Sequence, residues 1–371
     1  MRIAMIGHKH FGSREGGIEV VVTEIAKRLS KMGHTVTCYD RSSADVMTGR
    51  ASASARVDES GVRVVPVATI DKKGFAALTA SFSATIKAIR EGQDVIHYHA
   101  EGPCVPLPLA SLFGIKTVVT IHGLDWRCSK WGRFAKSYIK LGEKLAVKYA
   151  DKIIVLSEDL QKYFSEKYGR STVCIPNGVS SPRLVSPDLI SKKWGLEPDG
   201  YILYLGRIVP DKGLESLIEA YRSSRSPLRL VIAGGGSDTL EYENQLKRRA
   251  EGNKNILFTG YVSGRAYGEL YSNAAAFVLP SEHEGMPMSL LEAMAYGRCC
   301  IASDIDVCKK VLSDCGILVP VADDAALRLA IEFIGDNPEE SARYGVLAKK
   351  RVEDKYDWED VVHRILQEYL D

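Results

Sequence analysis

The chain has 371 residues, 45% of them hydrophobic and 26% charged, with a formal net charge of +2. That composition excludes a disordered or fibrous chain, and the length exceeds one ordinary core, so two domains of roughly 150 to 200 residues are expected. The charge is unevenly spread: Lys and Arg outnumber Asp and Glu by 27 to 17 up to Arg183 and are outnumbered 22 to 30 beyond it, which suits an N-terminal half facing a membrane surface or phosphate-bearing acceptor and, without a recognisable binding motif, excludes nucleic acid.

In the first half, strands are predicted at RIAMIG (2–7), TVTCYD (35–40), VRVVPV (62–67), VIHYH (95–99), TVVTIH (117–122) and KIIVLS (152–157). Longer helical patterns separate them, the signature of a parallel sheet built from βαβ units. The first strand opens into GHKHFGSREGGIEVVVTEIAKRL, where Gly16 and Gly17 precede a helix with Ile18, Val21, Val22, Ile25, Ala26 and Leu29 at helical spacing. The run is not GxGxxG, so NAD loses its main support, and a glycine pair at a helix N-terminus instead admits a phosphate or sugar close to the backbone.

VVTIHGLDWRCSKW places His122 at a strand end and Asp125 three residues on. A lone histidine is ordinarily a satisfied structural residue, but open parallel sheets bind ligands beyond their strand ends, which favours a site here. Asp125 suits three roles: orienting His122, contacting an acceptor hydroxyl, or capping the next helix. Beyond Trp131 the cations Arg133, Lys136, Lys140, Lys144 and Lys148 recur every three or four residues, with Phe134, Tyr138, Leu141 and Leu145 expected on a packed apolar face. The stripe reads either as a solvated face or as attraction to an anionic membrane carrying a lipid-linked acceptor.

Pro, Ser, Asn and Gly concentrate in VCIPNGVSSPRLVSP, and a hinge is expected between 178 and 187. The expected domains are 1–180, completed by a terminal helix over 358–371, and 181–357. Strands of the second half are predicted at YILYLG (201–206), LRLVIAG (228–234), NILFTGYV (255–262), AAFVLPS (275–281), CCIAS (299–303) and GILVP (316–320). Two doubly wound Rossmann-like domains follow, with the active site expected in the cleft where they face.

In GRIVPDKGLESLIEA, Gly206 and Arg207 stand at a strand end and Lys212 at the start of the next helix, two cations suited to a diphosphate. Gly234 to Gly236 end the next strand and suggest close approach of backbone to ligand. The segment Glu282–Gly297 turns from a strand through Gly285 and Pro287 into a helix. Its first-turn N–H groups, at Met288, Ser289 and Leu290, lack helical partners and suit a phosphate. Carboxylates beside phosphate would repel it, so Glu284 and Glu292 make chemical sense as acceptors from sugar hydroxyls, against the plainer reading of a loop carboxylate and a solvated helix residue. The eight cysteines, at 38, 104, 128, 174, 299, 300, 308 and 315, show no CxxC pair or metal spacing and read as reduced thiols of a cytoplasmic protein. With no signal peptide and no apolar run of roughly 18 residues, no membrane span is expected.

These residues carry a resemblance. Glu284 and Glu292, with seven residues between, look like the E-x7-E motif of retaining glycosyltransferases of the GT-B fold, specifically family 4; GRIVPDKG resembles that family's arginine and lysine motif and IPNGV its interdomain segment. The resemblance covers essentially the whole chain, and the Gly16–Gly17 loop resembles a subgroup linked to rhamnosyl transfer in cell-surface polysaccharide assembly. It implies that Arg207 and Lys212 bind the donor diphosphate, Glu292 the ribose and Glu284 the sugar, that Val262 lies near the base, and that His122 touches the transferred sugar. The implied activity is retaining transfer from a nucleotide-diphosphate sugar, dTDP-rhamnose or a UDP-sugar, to a saccharide or lipid-linked acceptor in the cytoplasm. A nucleotide-sugar epimerase of the same fold and a non-catalytic nucleotide-sugar sensor are the alternatives. No cofactor or metal is expected: Asp304-Ile305-Asp306 matches the DxD of another glycosyltransferase class but follows a strand in the wrong place.

Overall fold

The computed structural model describes residues 1–14, 16–42, 54–70, 75–127, 131–235 and 240–371. Gly236 and Cys128, both singled out from sequence, lie outside them. The chain divides into two compact units, Met1–Gly178 with Trp358–Asp371, and Val179–Asp357.

The N-terminal unit is built on an eight-stranded sheet: β1 (Arg2–Ile6), β2 (Thr35–Arg41), β3 (Arg56–Val57), β4 (Arg63–Val67), β5 (Val95–His99), β6 (Lys116–Ile121), β7 (Lys152–Val155) and β8 (Val173–Cys174), in the order β3-β4-β2-β1-β5-β6-β7-β8. All pairs are parallel except β3 with β4. The two-residue β3 and β8, too short to show a period, had no counterpart in the sequence reading. The strand order reverses between β1 and β5, so their carboxyl ends flank a topological switch point, the place where such sheets bind ligands.

Helices α1 (Gly17–Lys31), α2 (Ala76–Arg90), α3 (Leu107–Leu112), α4 (Arg133–Tyr149) and α5 (Glu158–Tyr168) cover the sheet. In α1 the residues Val21, Val22, Ile25, Ala26 and Leu29 form the buried stripe. Helix α4 departs from expectation. Its buried face is Ile139, Gly142, Glu143 and Ala146, while Phe134 is 71% and Leu141 46% exposed. Gly142 explains the rotation: a Cβ there would sit 2.0 Å from the Glu101 carbonyl oxygen, so the helix meets the chain below with its small residues and turns Phe134 and Leu141 outward among Lys140 and Lys144.

The C-terminal helix Trp358–Leu370 belongs to this same unit. It buries Trp358, Val361, Val362, Ile365 and Tyr369. Arg28 holds it through an ion pair to Glu359 at 3.0 Å, and Arg364 donates to the Cys174 carbonyl at 2.6 Å. Trp358 lies so close to Gly178 that a Cβ there would meet the indole at 2.6 Å, which explains the glycine of the IPNGV run by space alone.

The C-terminal unit carries six parallel strands: β9 (Tyr201–Leu205), β10 (Arg229–Ala233), β11 (Ile256–Gly260), β12 (Ala276–Leu279), β13 (Cys299–Ser303) and β14 (Ile317–Val319), ordered β11-β10-β9-β12-β13-β14. Its helices are α6 (Leu189–Trp194), α7 (Leu214–Arg222), α8 (Leu240–Ala250), α9 (Gly264–Asn273), α10 (Met288–Ala295), α11 (Asp306–Leu312), α12 (Asp324–Asp336) and α13 (Pro338–Lys355). β9 and β12 are buried at every position, as strands covered on both faces should be. The order reverses between β9 and β12, a second switch point. Among the described residues no helix is long and apolar enough to cross a membrane, and Cys38, Cys104, Cys299, Cys300, Cys308 and Cys315 are buried thiols.

Candidate functional site

At the switch point of the C-terminal unit, two loops are tied together. The loop after β9 carries Gly206 and Arg207 and closes through a 3-10 turn, Pro210–Lys212. The loop after β12 carries Glu282 and Glu284 into α10. The Glu282 N–H donates to the Asp211 carbonyl at 3.0 Å. Gly213 makes the approach possible: its φ is +65°, and a Cβ there would lie 2.1 Å from the Pro280 carbonyl oxygen, which only glycine tolerates.

The ammonium of Lys212 donates to Glu284 Oε1, and both side chains are largely buried. Ser281 Oγ donates to the same oxygen at 2.8 Å. Two donors on one oxygen of a largely buried side chain fix the carboxylate's direction. Arg207 is exposed and makes no side-chain hydrogen bond among the described residues; its backbone carbonyl accepts from Tyr204 OH at 2.7 Å, which pins the loop. One paired and one unpaired cation thus follow the same strand.

Pro287 caps α10 without a side-chain acceptor, and no acidic residue occupies the first turn. The N–H groups of Met288 and Ser289 have no acceptor among the described contacts. Leu290 is different: its N–H, like that of Leu291, donates to the Pro287 carbonyl at 3.1 Å, a tight first turn that leaves two free donors instead of the three expected. Glu292 accepts from Tyr267 OH on α9, and Tyr271, stacked 5.1 Å from Tyr296, donates to the Ser289 carbonyl at 3.2 Å. These tyrosines fix α10 against α9 and escaped the sequence reading, because nothing in their spacing marks the contact.

Gly234 follows β10 at φ +141°, where a Cβ would lie 1.8 Å from the Gly206 carbonyl oxygen. The contact with the neighbouring strand's loop is by itself enough to require glycine at this position. Val262 is buried after β11 beside Tyr261 and Ser263, lining a groove of about 480 Å³ together with Lys192, Lys193 and Trp194 of α6.

In the N-terminal unit His122 follows β6, and its Nε2 lies 3.1 Å from Nδ1 of His99, the last residue of β5. His97, two residues earlier, bonds Tyr369 OH at 2.6 Å and Thr120 Oγ1 at 2.7 Å. Burial disfavours the cationic form of all three: His122 is pushed down to about 4, His97 to about 3, the latter helped by His122, and His99 well below its ordinary value. Strand-end placement, the signal that singled out His122, applied equally to His99.

Asp125 opens a 3-10 turn, and its N–H donates to Glu101 Oε1 at 3.1 Å. Glu101 is fully buried; burial first, then the Asp125 and Glu143 carboxylates, raise its pKa well above the usual range. Glu143, equally buried, resists the same burial penalty through hydrogen bonds from Tyr168, Lys167, Tyr163 and Trp126, which hold it below the usual range. The pair brackets the segment carrying His122 and Asp125: Glu101 takes Asp125 and Glu143 takes Trp126. At α1, Gly16 is extended and Gly17 begins the helix, but the Glu19 carboxylate lies against Gly16 and accepts the Lys9 N–H at 3.0 Å. That helix N-terminus already faces a carboxylate of its own chain.

Two doubly wound units with their chemistry at the strand ends define the GT-B class of architecture. Residues 15–183 match the family described as Glycosyltransferase Family 4, and residues 187–351 match Glycosyl transferases group 1. The chain is similar to the O-antigen chain mannosyltransferase C of Escherichia coli, 26% identical over all of this chain and 98% of that one, and to the phosphatidyl-myo-inositol mannosyltransferase of Mycobacterium leprae, 27% identical over 100% and 96%. Its fold matches that of the Anabaena protein HepE, solved with UDP and glucose, at a TM-score of 0.80 and 17% identity over 99% of this chain and 98% of that one. The chain is a glycosyltransferase of the GT-B fold, its N-terminal half of the Family 4 kind and its C-terminal half of the group 1 kind.

Proposed function

We propose that the protein is a retaining, metal-independent hexosyltransferase that takes a sugar from a nucleotide-diphosphate donor and hands it to a saccharide acceptor, lipid-linked, in bacterial polysaccharide assembly at the cytoplasmic membrane face. The observation that carries this reading is the junction at the β9/β12 switch point: the loop that carries Arg207 is tied to the loop leading into α10, and Lys212 of the first orders the carboxylate of Glu284 in the second. Cations and helix N–H groups suit a diphosphate, and a fixed carboxylate suits sugar hydroxyls. Glu292 takes the ribose, with Val262 near the base.

In the proposed reaction the bond from the anomeric carbon to the diphosphate oxygen breaks through an oxocarbenium-like transition state. The acceptor oxygen bonds the same face, and its proton passes to the departing phosphate. Arg207 and Lys212 stabilise the charge that accumulates there, the kind of preorganised contact that is worth most in the transition state. His122 touches the transferred sugar and Asp125 serves the acceptor. dTDP-rhamnose and UDP-hexoses remain the proposed donors, and the relatives' names add a mannose donor to the panel.

The lipid-linked acceptor draws support from the exposed Phe134 and Leu141 set among Lys140 and Lys144 on α4, apolar and cationic side chains suited together to an anionic bilayer surface. The test is nucleotide release from a panel of nucleotide sugars with and without lipid-linked saccharide acceptors. Release that requires an acceptor, with the anomeric configuration of the donor kept in the product by NMR, supports the reading. Isomerised or free sugar without acceptor supports an epimerase, and binding without turnover a sensor.

A further inference from the structure

His99 and His122 share one hydrogen bond, Nδ1 of the first to Nε2 of the second at 3.1 Å, with ring centroids 5.3 Å apart. Burial keeps both imidazoles neutral, so each ring carries one proton and one lone pair. Only two arrangements satisfy the contact. In one, His122 donates from Nε2, and His99 must then hold its own proton on its other nitrogen. In the other, His99 donates from Nδ1, and His122 holds its proton on Nδ1.

The remaining nitrogen of His99 separates the two. His99 is fully buried, and its Nε2 has no hydrogen-bond partner among the described residues. The first arrangement would strand an N–H donor there, whereas the second leaves only a lone pair. Orphaned buried N–H groups are the rarer defect in folded proteins, and each costs a desolvation penalty that nothing here offsets. His99 is also held in place: its ring lies 4.2 Å from that of His97, which Tyr369 and Thr120 anchor on both nitrogens.

We infer that His99 is a positioning residue that holds His122 in the Nδ1–H tautomer, so that His122 offers the transferred sugar a neutral N–H donor and acts as no base. The tautomer follows from the unit's own geometry, and only its use on a sugar rests on the proposed function.

The decisive measurement is the long-range proton–nitrogen correlation spectrum of the full-length, unliganded chain labelled with nitrogen-15 at histidine, near neutral pH. Spectra of His122→Gln and His99→Asn identify the peaks. A protonated Nδ1 and bare Nε2 on His122 are expected; a proton on Nε2, or on both nitrogens, overturns the inference whatever the enzyme's substrate proves to be. Activity supplies a second arm. His99→Asn keeps an N–H donor near the Nδ1 position, whereas His99→Asp places an acceptor there and reverses the tautomer. The Asp variant should lose roughly tenfold in kcat with little change in donor KM, and the Asn variant should rescue most of that loss. Equal losses in both overturn the positioning role, and a correct tautomer in a protein that transfers no sugar would sink the functional reading alone.

Discussion

At the ends of β9 and β12 the C-terminal unit gathers formal charges, Arg207, Lys212 and Glu284, whereas at the ends of β5 and β6 the N-terminal unit gathers His99 and His122, which burial keeps neutral as it does His97 within β5. The histidines divide accordingly: His8, His10, His34, His97, His99, His122 and His363 belong to the N-terminal unit and His283 alone to the other. The same doubly wound plan thus carries two kinds of side-chain group at its strand ends. Charged groups suit a substrate that brings charge of its own, and neutral donors suit hydroxyls, which need direction more than field.

The sharpest way to break the comparison is to remove charge without removing shape. Glu284→Gln should lower kcat by about 10²- to 10³-fold, the scale on which single preorganised polar groups act, while nucleotide affinity by calorimetry changes only a few-fold. A matching fall in nucleotide affinity would instead make Glu284 merely the partner that orders Lys212. Arg207→Ala should act on the other quantity. Losing one charge-assisted contact of about 1.5 to 3 kcal/mol weakens nucleoside diphosphate binding by roughly 10- to 100-fold, and the salt dependence of binding should flatten with it. Unchanged affinity would remove Arg207 from the diphosphate site.

The charged half of this chemistry was the legible half. A strand end followed by a cation, or a loop turning into a helix between two glutamates, is a local pattern, and the sequence displays Arg207, Lys212, Glu284 and Glu292 as such. All six strands read from each half formed, and those buried at every position, such as β5, β9 and β12, write themselves as short apolar runs. The neutral half depends on contacts between distant segments. His97 meets Tyr369 across 272 residues and His99 meets His122 across 23, and no spacing rule announces either. Helix α4 failed for a related reason: periodicity named its apolar residues, but the approach of Gly142 to Glu101 decided which of them face inward. The free donors of α10 were overcounted because the tightness of a first turn is set by backbone geometry at Pro287.

The histidines give the next largest effect, on stability instead of turnover. Their folded-state values lie below the ordinary 6.5, with His122 near 4 and His97 near 3, so the unfolded chain binds more protons throughout the interval between. Stability is therefore full above about pH 6.5 and declines as pH falls through that window, by on the order of 1.4 kcal/mol per pH unit for each histidine. Hydrogen exchange, corrected for intrinsic rates, should show β5 and β6 losing protection between pH 6.5 and 4.5 while β9 and β12 change less. Parallel losses in both units would place the sensitivity in carboxylates common to them.

The smallest expected effect is none at all. If a phosphate's charge is met by Arg207, Lys212 and the first turn of α10, a divalent cation has no charge left to neutralise there, and Oε1 of Glu284 already accepts from Lys212 and Ser281. The Asp304-Ile305-Asp306 run offers no ready replacement: Asp304 is paired with Lys309 at 3.0 Å, and Asp306 begins α11, where a carboxylate complements the helix dipole. Turnover after exhaustive chelation should equal that of untreated enzyme, and replacing Asp304 and Asp306 by Asn should leave it so. Activity lost to chelation and restored by magnesium or manganese would mean that the cations of the C-terminal unit do not suffice for the leaving group, and the contrast between a charged unit and a neutral one would have to include a metal on the charged side.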